Sequence, residues 1–218
     1  MIHNLISANF VKLNFKPIAM NSFPNQFLTV LFIVFLITCA SCTKEKTYDI
    51  GQIITPKGEI LVWLSDETPK HKASFIELAN EGYWDSLTFN RVIPNFVAQG
   101  GCPDTPEGFN DPKYLLEPEF NKDLLHDYGA LGAGRDGNPE KLSARCQFYI
   151  VQNKEGLHRL DGDYTVFGKV IKGMDIIDTI VNVKRDSLDA PLTPITLDVN
   201  MISMKETELQ KMYPEIKE

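Results

Sequence analysis

Arg91 is the residue whose type and setting most invite chemistry. It sits in the run Phe89-Asn90-Arg91-Val92-Ile93, otherwise rich in strand-forming apolar residues, with Phe96 and Gln99 shortly after it and then Gly100-Gly101. A guanidinium in such a run needs hydrogen-bond partners, because burying an unpaired charge is expensive. Periodicity alone reads Arg91 as a solvent-facing arginine on an edge strand; the alternative is a donor built into a site. Other patterns carry less. Gly129-Ala130-Leu131-Gly132-Ala133-Gly134 lacks the spacing of a phosphate-binding loop and reads as a glycine-rich turn. Asp161-Gly162-Asp163 has part of a calcium loop without its remaining ligands. His71, His126 and His158 share no short spacing and read as surface histidines, and no Ser/His/Asp hydrolase motif is visible.

The elements that must hold Arg91 are short. Residues 52–55 and 59–64 flank Pro56-Lys57-Gly58 and read as a hairpin. Thr68-Pro69 suits a helix start, Phe75, Ile76, Leu78 and Ala79 form an apolar stripe, and Asn80-Glu81-Gly82 ends it. Strands are expected over residues 87–93, 96–99, 130–131, 147–151, 165–170 and 195–201, with a long loop at 102–128 and a second short helix at 176–181. Many short strands, few helices and no strand–helix alternation predict a mainly β protein, closed as an antiparallel barrel. With 218 residues, 43% of them hydrophobic, the chain can build one sizeable core. A net charge of -7 argues against a nucleic-acid partner, which would require a basic face.

Taken together, the stretches resemble a known family. Phe89-Asn90-Arg91-Val92-Ile93-Pro94-Asn95-Phe96-Val97-Ala98-Gln99-Gly100-Gly101 is similar to the active-site segment of the cyclophilins. Three further stretches match in order: residues 129–134, Cys146-Gln147-Phe148-Tyr149-Ile150, and Leu160-Asp161-Gly162 with Val166-Phe167-Gly168-Lys169-Val170. The resemblance runs over residues 50–202 and leaves 203–218 as a charged tail that forms at most a helical turn. It implies an eight-stranded closed barrel capped by about two helices, and peptidyl-prolyl cis/trans isomerase activity. That reaction breaks no bond, so no nucleophile, cofactor or metal is expected. The resemblance assigns Arg91, Phe96 and Gln99 to catalysis. It assigns Asn90, Val97, Gly134, Arg135, Gln147, Tyr149, Leu160 and Tyr164 to substrate binding, the partner being a proline-containing polypeptide bound by a monomer. Asn90 stands where the family most often has His, and it does not titrate near neutrality; activity should therefore be less sensitive to pH. Arg159 replaces a Trp and Tyr164 a His of many eukaryotic members. A proline-binding chaperone or scaffold without turnover is the second reading, kept open by Asn90.

The N-terminal region implies export. From Phe27 to Ala40 the chain carries no charge over about 14 residues, shorter than the roughly 20 of a spanning helix and suited to a signal peptide. Ala40-Ser41 before Cys42 resembles a bacterial lipoprotein processing site, so residues 1–41 are expected to be removed and Cys42 lipidated, with Met20 an alternative start. An uncleaved anchor is the other reading. Residues 42–49 then form a polar tether from the cell envelope, periplasmic or surface-facing, to the domain. Export leaves Cys102 and Cys146 in a compartment where disulfides persist, and the family alignment puts both near the binding face. A bonded pair and two free thiols both remain open, while a metal site lacks the paired spacing it needs.

Overall fold

The computed structural model describes residues 45–102 and 114–214. The apolar leader, Cys42 with the start of the tether, residues 103–113 of the long loop and residues 215–218 of the tail lie outside them. The first two strands, β1 (Thr47–Thr55) and β2 (Gly58–Leu64), form the expected hairpin. Its two-residue turn is closed by Thr55, whose Oγ accepts from the amides of Lys57 and Gly58 at 3.0 and 3.1 Å. After α1 (Pro69–Asn80) come β3 (Leu87–Val92), β4 (Val97–Gly101), β5 (Leu115–Leu116), β6 (Ala130–Ala133), β7 (Ser143–Ala144) and β8 (Gln147–Val151). A 3-10 turn (His158–Leu160), β9 (Val166–Lys172), α2 (Met174–Val181), β10 (Thr196–Lys205) and α3 (Glu206–Met212) complete the described chain. Eight strands close into a barrel in the order β1-β10-β3-β4-β8-β6-β9-β2, every pairing antiparallel, while β5 and β7 pair apart.

The barrel is filled by alternate residues of its strands and sealed by two helices. Phe75 and Leu78 of α1, and Ile177, Ile180 and Val181 of α2, are buried in the main core with Phe89, Phe148 and Leu197. Ile76, read as part of the α1 stripe, lies at its edge and is only partly buried. Phe75 meets Trp84 at 4.8 Å between ring centroids, and Trp84 meets Phe148 edge-on at 5.8 Å. Burying a ring of this size stabilises the fold by about 1.5–3 kcal/mol, so the aromatic cluster ties α1 firmly to β8.

Three expectations need correction. Residues 47–49 are not tether but strand: Thr47 opposes Lys205 and Asp49 opposes Ser203. Tyr48 and Ile50 there cover a small core of Leu61, Met204 and Leu209, completed by α3, a third helix where at most a turn was expected. His71 is not on the surface. It is buried in α1, with Nδ1 2.7 Å from Glu119 Oε2. Glu119 also accepts the amides of Lys70 and His71 at 3.0 and 2.9 Å, placing a carboxylate on the positive end of α1. Thr68 occupies the N-cap position, yet its side chain makes no cap hydrogen bond, and this distant carboxylate supplies the acceptor instead.

Candidate active site

Arg91 reaches its position through a bulge. In a regular strand Phe89 and Arg91 would share a face, and Phe89 points into the core. The pairing of β3 with β4 shifts between these residues: Phe89 opposes Gly100, yet Arg91 opposes Gln99, leaving Asn90 as the extra residue. Arg91 is thereby turned outward while Phe89 and Val92 both stay buried. Nor is β3 an edge strand, since it lies between β10 and β4 in the closed barrel. The edge-strand reading of Arg91 fails because barrel closure is set by residues far away in sequence.

The outer faces of β4 and β8 carry the rest of the floor. Gln99 pairs with Tyr149 and Gly101 with Gln147, so Val97, Gln99, Gln147 and Tyr149 share one side while Ala98, Phe148 and Ile150 enter the core. A cavity of about 450 Å³ opens over them. It is lined by Arg91, Phe96, Val97, Gln99, Gly134, Arg135, Gln147, Tyr149, Leu160 and Tyr164, with Asp136 and Arg159. Every catalytic and substrate-binding residue expected from the sequence is therefore brought together except Asn90. As the bulged residue, Asn90 does not line the cavity, and its Oδ1 is buried without a hydrogen-bond partner.

Glycine makes room for two of the lining side chains. The segment read as a glycine-rich turn is largely strand β6, with Gly132 opposite Tyr149. A Cβ at Gly132 would lie 2.2 Å from Tyr149 Cζ, and one at Gly134 would lie 2.3 Å from Gln147 Oε1. Side chains at either position would fill the space these two groups occupy.

Polar contacts fix the donors and the walls. Arg91 Nη1 donates to Gln99 Oε1 at 3.2 Å, and its guanidinium lies 5.8 Å from the Phe96 ring centroid. Arg159 approaches the same ring at 5.2 Å. Arg135 stacks over Tyr164 at 4.4 Å, and its Nε and Nη1 donate to the backbone oxygens of Asp163 and Asp136. Val97, Tyr149 and Leu160, with Phe96, form a second apolar cluster that backs the cavity. Such a mixture, an apolar pocket beside a fixed permanent donor, suits a small ring next to a polar amide.

His126, read as a surface residue, is instead fully buried behind the pocket. Its Nδ1 lies 2.7 Å from Asp161 Oδ1 and its Nε2 lies 2.7 Å from the Tyr149 hydroxyl. Burial pushes the imidazole below its ordinary pKa, though the Asp161 hydrogen bond works against that. Burial also raises Asp161, but hydrogen bonds from the His126 ring and amide and from His158 outweigh it and hold the carboxyl low. Burial drives the Tyr149 hydroxyl well above the usual phenol range. Sequence reasoning missed His126 because its partners lie 35 and 23 positions away; the one available signal was Asp161 in the Leu160-Asp161-Gly162 match. His158, by contrast, is exposed as expected.

At the end of the groove Cys102 and Cys146 are joined by a disulfide. The bond ties the end of β4 to the start of β8, where Gln147 Nε2 donates to the Cys102 carbonyl at 3.2 Å. Trp84 Nε1 anchors the same corner by donating to the Cys146 carbonyl at 2.8 Å.

Comparison with known proteins places this geometry. The family described as cyclophilin type peptidyl-prolyl cis-trans isomerase matches residues 50–201. Peptidyl-prolyl cis-trans isomerase B of Bacillus subtilis is 41% identical over 118 residues, covering 54% of this chain and 78% of that protein. Peptidyl-prolyl cis-trans isomerase ppi1 of Schizosaccharomyces pombe is 32% identical, covering 67% of this chain and 94% of that protein. Among solved structures, a cyclophilin type isomerase of Cryptosporidium parvum, crystallised in the presence of the dipeptide Ala-Pro, superposes with a TM-score of 0.63. It is 28% identical, covering 70% of this chain and 98% of that one. The chain belongs to the cyclophilin type peptidyl-prolyl cis-trans isomerase family.

Proposed function

We propose that Arg91 drives rotation about X–Pro bonds by hydrogen bonding to the prolyl nitrogen. Rotation about a peptide bond costs roughly 18–20 kcal/mol, and X–Pro exchange takes tens to hundreds of seconds unaided. The barrier is the loss of amide resonance, and that loss frees the nitrogen lone pair. A donor aimed at the nitrogen therefore binds the twisted amide better than either planar form, which is what acceleration requires. Phe96, Val97, Tyr149 and Leu160 grip the proline ring, Gln99 holds the guanidinium, and Gly134, Arg135 and Gln147 meet the substrate backbone. The observation that carries this reading is the single cavity in which Arg91, hydrogen-bonded to Gln99, faces that apolar pocket. An Ala-Pro dipeptide accompanying the Cryptosporidium relative supports a proline ligand here as well.

The substrates proposed are exported proteins, with the domain held as a monomer at the cell envelope by lipid on Cys42. Asn90, standing where the family most often has His, keeps a second reading open, a proline-binding chaperone or scaffold without turnover. A proline-peptide isomerisation assay decides between them. Activity in the wild type, strongly reduced in Arg91→Ala and Phe96→Ala, supports the isomerase; an inactive intact domain sinks it.

A further inference from the structure

The chain has five arginines, at positions 91, 135, 145, 159 and 185, within a net charge of -7. Two are ion-paired away from the groove: Arg145 with Glu77 at 2.6 Å and Arg185 with Asp189 at 3.1 Å. The other three, Arg91, Arg135 and Arg159, all line the cavity, and none of them meets a carboxylate among the described residues within ion-pair distance. The cavity's one acid, Asp136, turns its carboxylate to the amide and side chain of Asn138, at 3.1 and 2.8 Å. The three guanidiniums are held by other means: Arg91 by Gln99 and the Phe96 ring, Arg159 by the Phe96 ring, Arg135 by backbone carbonyls and the Tyr164 ring. Aromatic stacking and neutral acceptors fix a guanidinium without neutralising it; the Asp163 carboxylate, which acts on Arg135 from nearby, is itself paired with Lys141.

We infer that the groove selects proline segments carrying carboxylate side chains next to the proline, with Arg159 and Arg135 as the residues that recognise them. This rests on the groove being the proline site. Within it, Arg91 is committed to the amide, whereas Arg159 stands 5.2 Å from the Phe96 ring centroid and Arg135 4.4 Å from that of Tyr164, both on the lining of the same cavity. A positive rim on an otherwise acidic protein also steers acidic chains toward the site and repels basic ones. The effect is moderate, because Arg159 is exposed and exposed charge pairs are individually weak.

The test uses matched proline peptides that differ only in Glu, Gln or Lys at the two positions before the proline, with kcat/KM measured at low and high salt. Glu peptides should exceed Lys peptides by roughly threefold to tenfold at low salt, Gln falling between, and salt should shrink the gap. Arg159→Gln should bring the Glu-to-Lys ratio toward one, Arg159→Lys should keep it above one, and Arg159→Glu should invert it. Taking the ratio within each variant cancels any general loss of activity. Equal kcat/KM for Glu and Lys peptides at low salt overturns the inference while leaving the isomerase reading intact. Should no peptide be turned over, the isomerase reading fails instead. The preference is then read from peptide affinities by NMR titration, where a Glu-over-Lys ranking upholds the inference and equal affinities overturn it.

Discussion

The hydroxyl of Tyr149 lies 2.7 Å from Nε2 of His126, and that contact fixes a wall of the cavity from behind. Because Nδ1 of the same ring faces the Asp161 carboxylate at 2.7 Å, the imidazole proton belongs on Nδ1, leaving Nε2 to accept from the phenol. Proton, ring plane and hydroxyl are then all assigned, and Tyr149 is held in place where it lines the cavity.

This arrangement has a pH consequence. His126 and His71 are both buried and both held below the ordinary imidazole value of about 6.5. Above that value neither the folded nor the unfolded chain carries these protons, and their contribution to stability is complete. As pH falls through it, the unfolded chain takes up protons that the folded chain resists, so stability drops until the folded pKa is passed. Asp161 and Glu119, held low, add loss in the same direction only at more acid pH. Denaturant midpoints should therefore fall between about pH 7 and about pH 5, with a smaller fall in His126→Gln. A flat midpoint over that range would refute the buried neutral histidines.

Gly132 should be intolerant of any side chain. A methyl group there would lie 2.2 Å from Tyr149 Cζ and 2.5 Å from its hydroxyl, so Gly132→Ala must displace the ring. Overpacking of this kind costs about 1–3 kcal/mol, and a misplaced pocket wall should lower kcat/KM on the order of a hundredfold. Gly137→Ala, with nothing near its added carbon, is the matched control. Parity between the two variants in a peptide assay would show that Tyr149 does not form the wall.

The Cys102–Cys146 bond spans a sequence separation of 44, and restricting the unfolded chain over such a loop is worth about 4 kcal/mol. Intact protein should gain two protons in mass on reduction and unfold at markedly lower denaturant. An unchanged mass would mean that the thiols are free.

These outcomes bear on what the residues themselves disclose. The pocket floor of Val97, Gln99, Gln147 and Tyr149 was legible through the family resemblance; the alternation that sends their neighbours Ala98 and Phe148 into the core emerges only once β4 and β8 are paired. Arg91 was legible only through its resemblance to a known segment, since the bulge at Asn90 breaks the alternation that would have oriented it. The strand at Thr47 was hidden because its partner, Lys205, lies at the far end of the domain. His71 and His126 were hidden for the same reason. An isolated histidine looks solvated until a carboxylate 48 or 35 residues away arrives to satisfy it.

The proposed rotation rests on one donor, Arg91, and one bond. NMR exchange spectroscopy on a proline peptide reads both binding and turnover in the same sample. Cis–trans exchange cross-peaks are expected with the wild-type domain. With Arg91→Ala the peptide should still shift on binding while exchange falls by about a hundredfold, the loss associated with removing a single transition-state donor. Undiminished exchange in Arg91→Ala, with the fold intact, would contradict Arg91 as that donor.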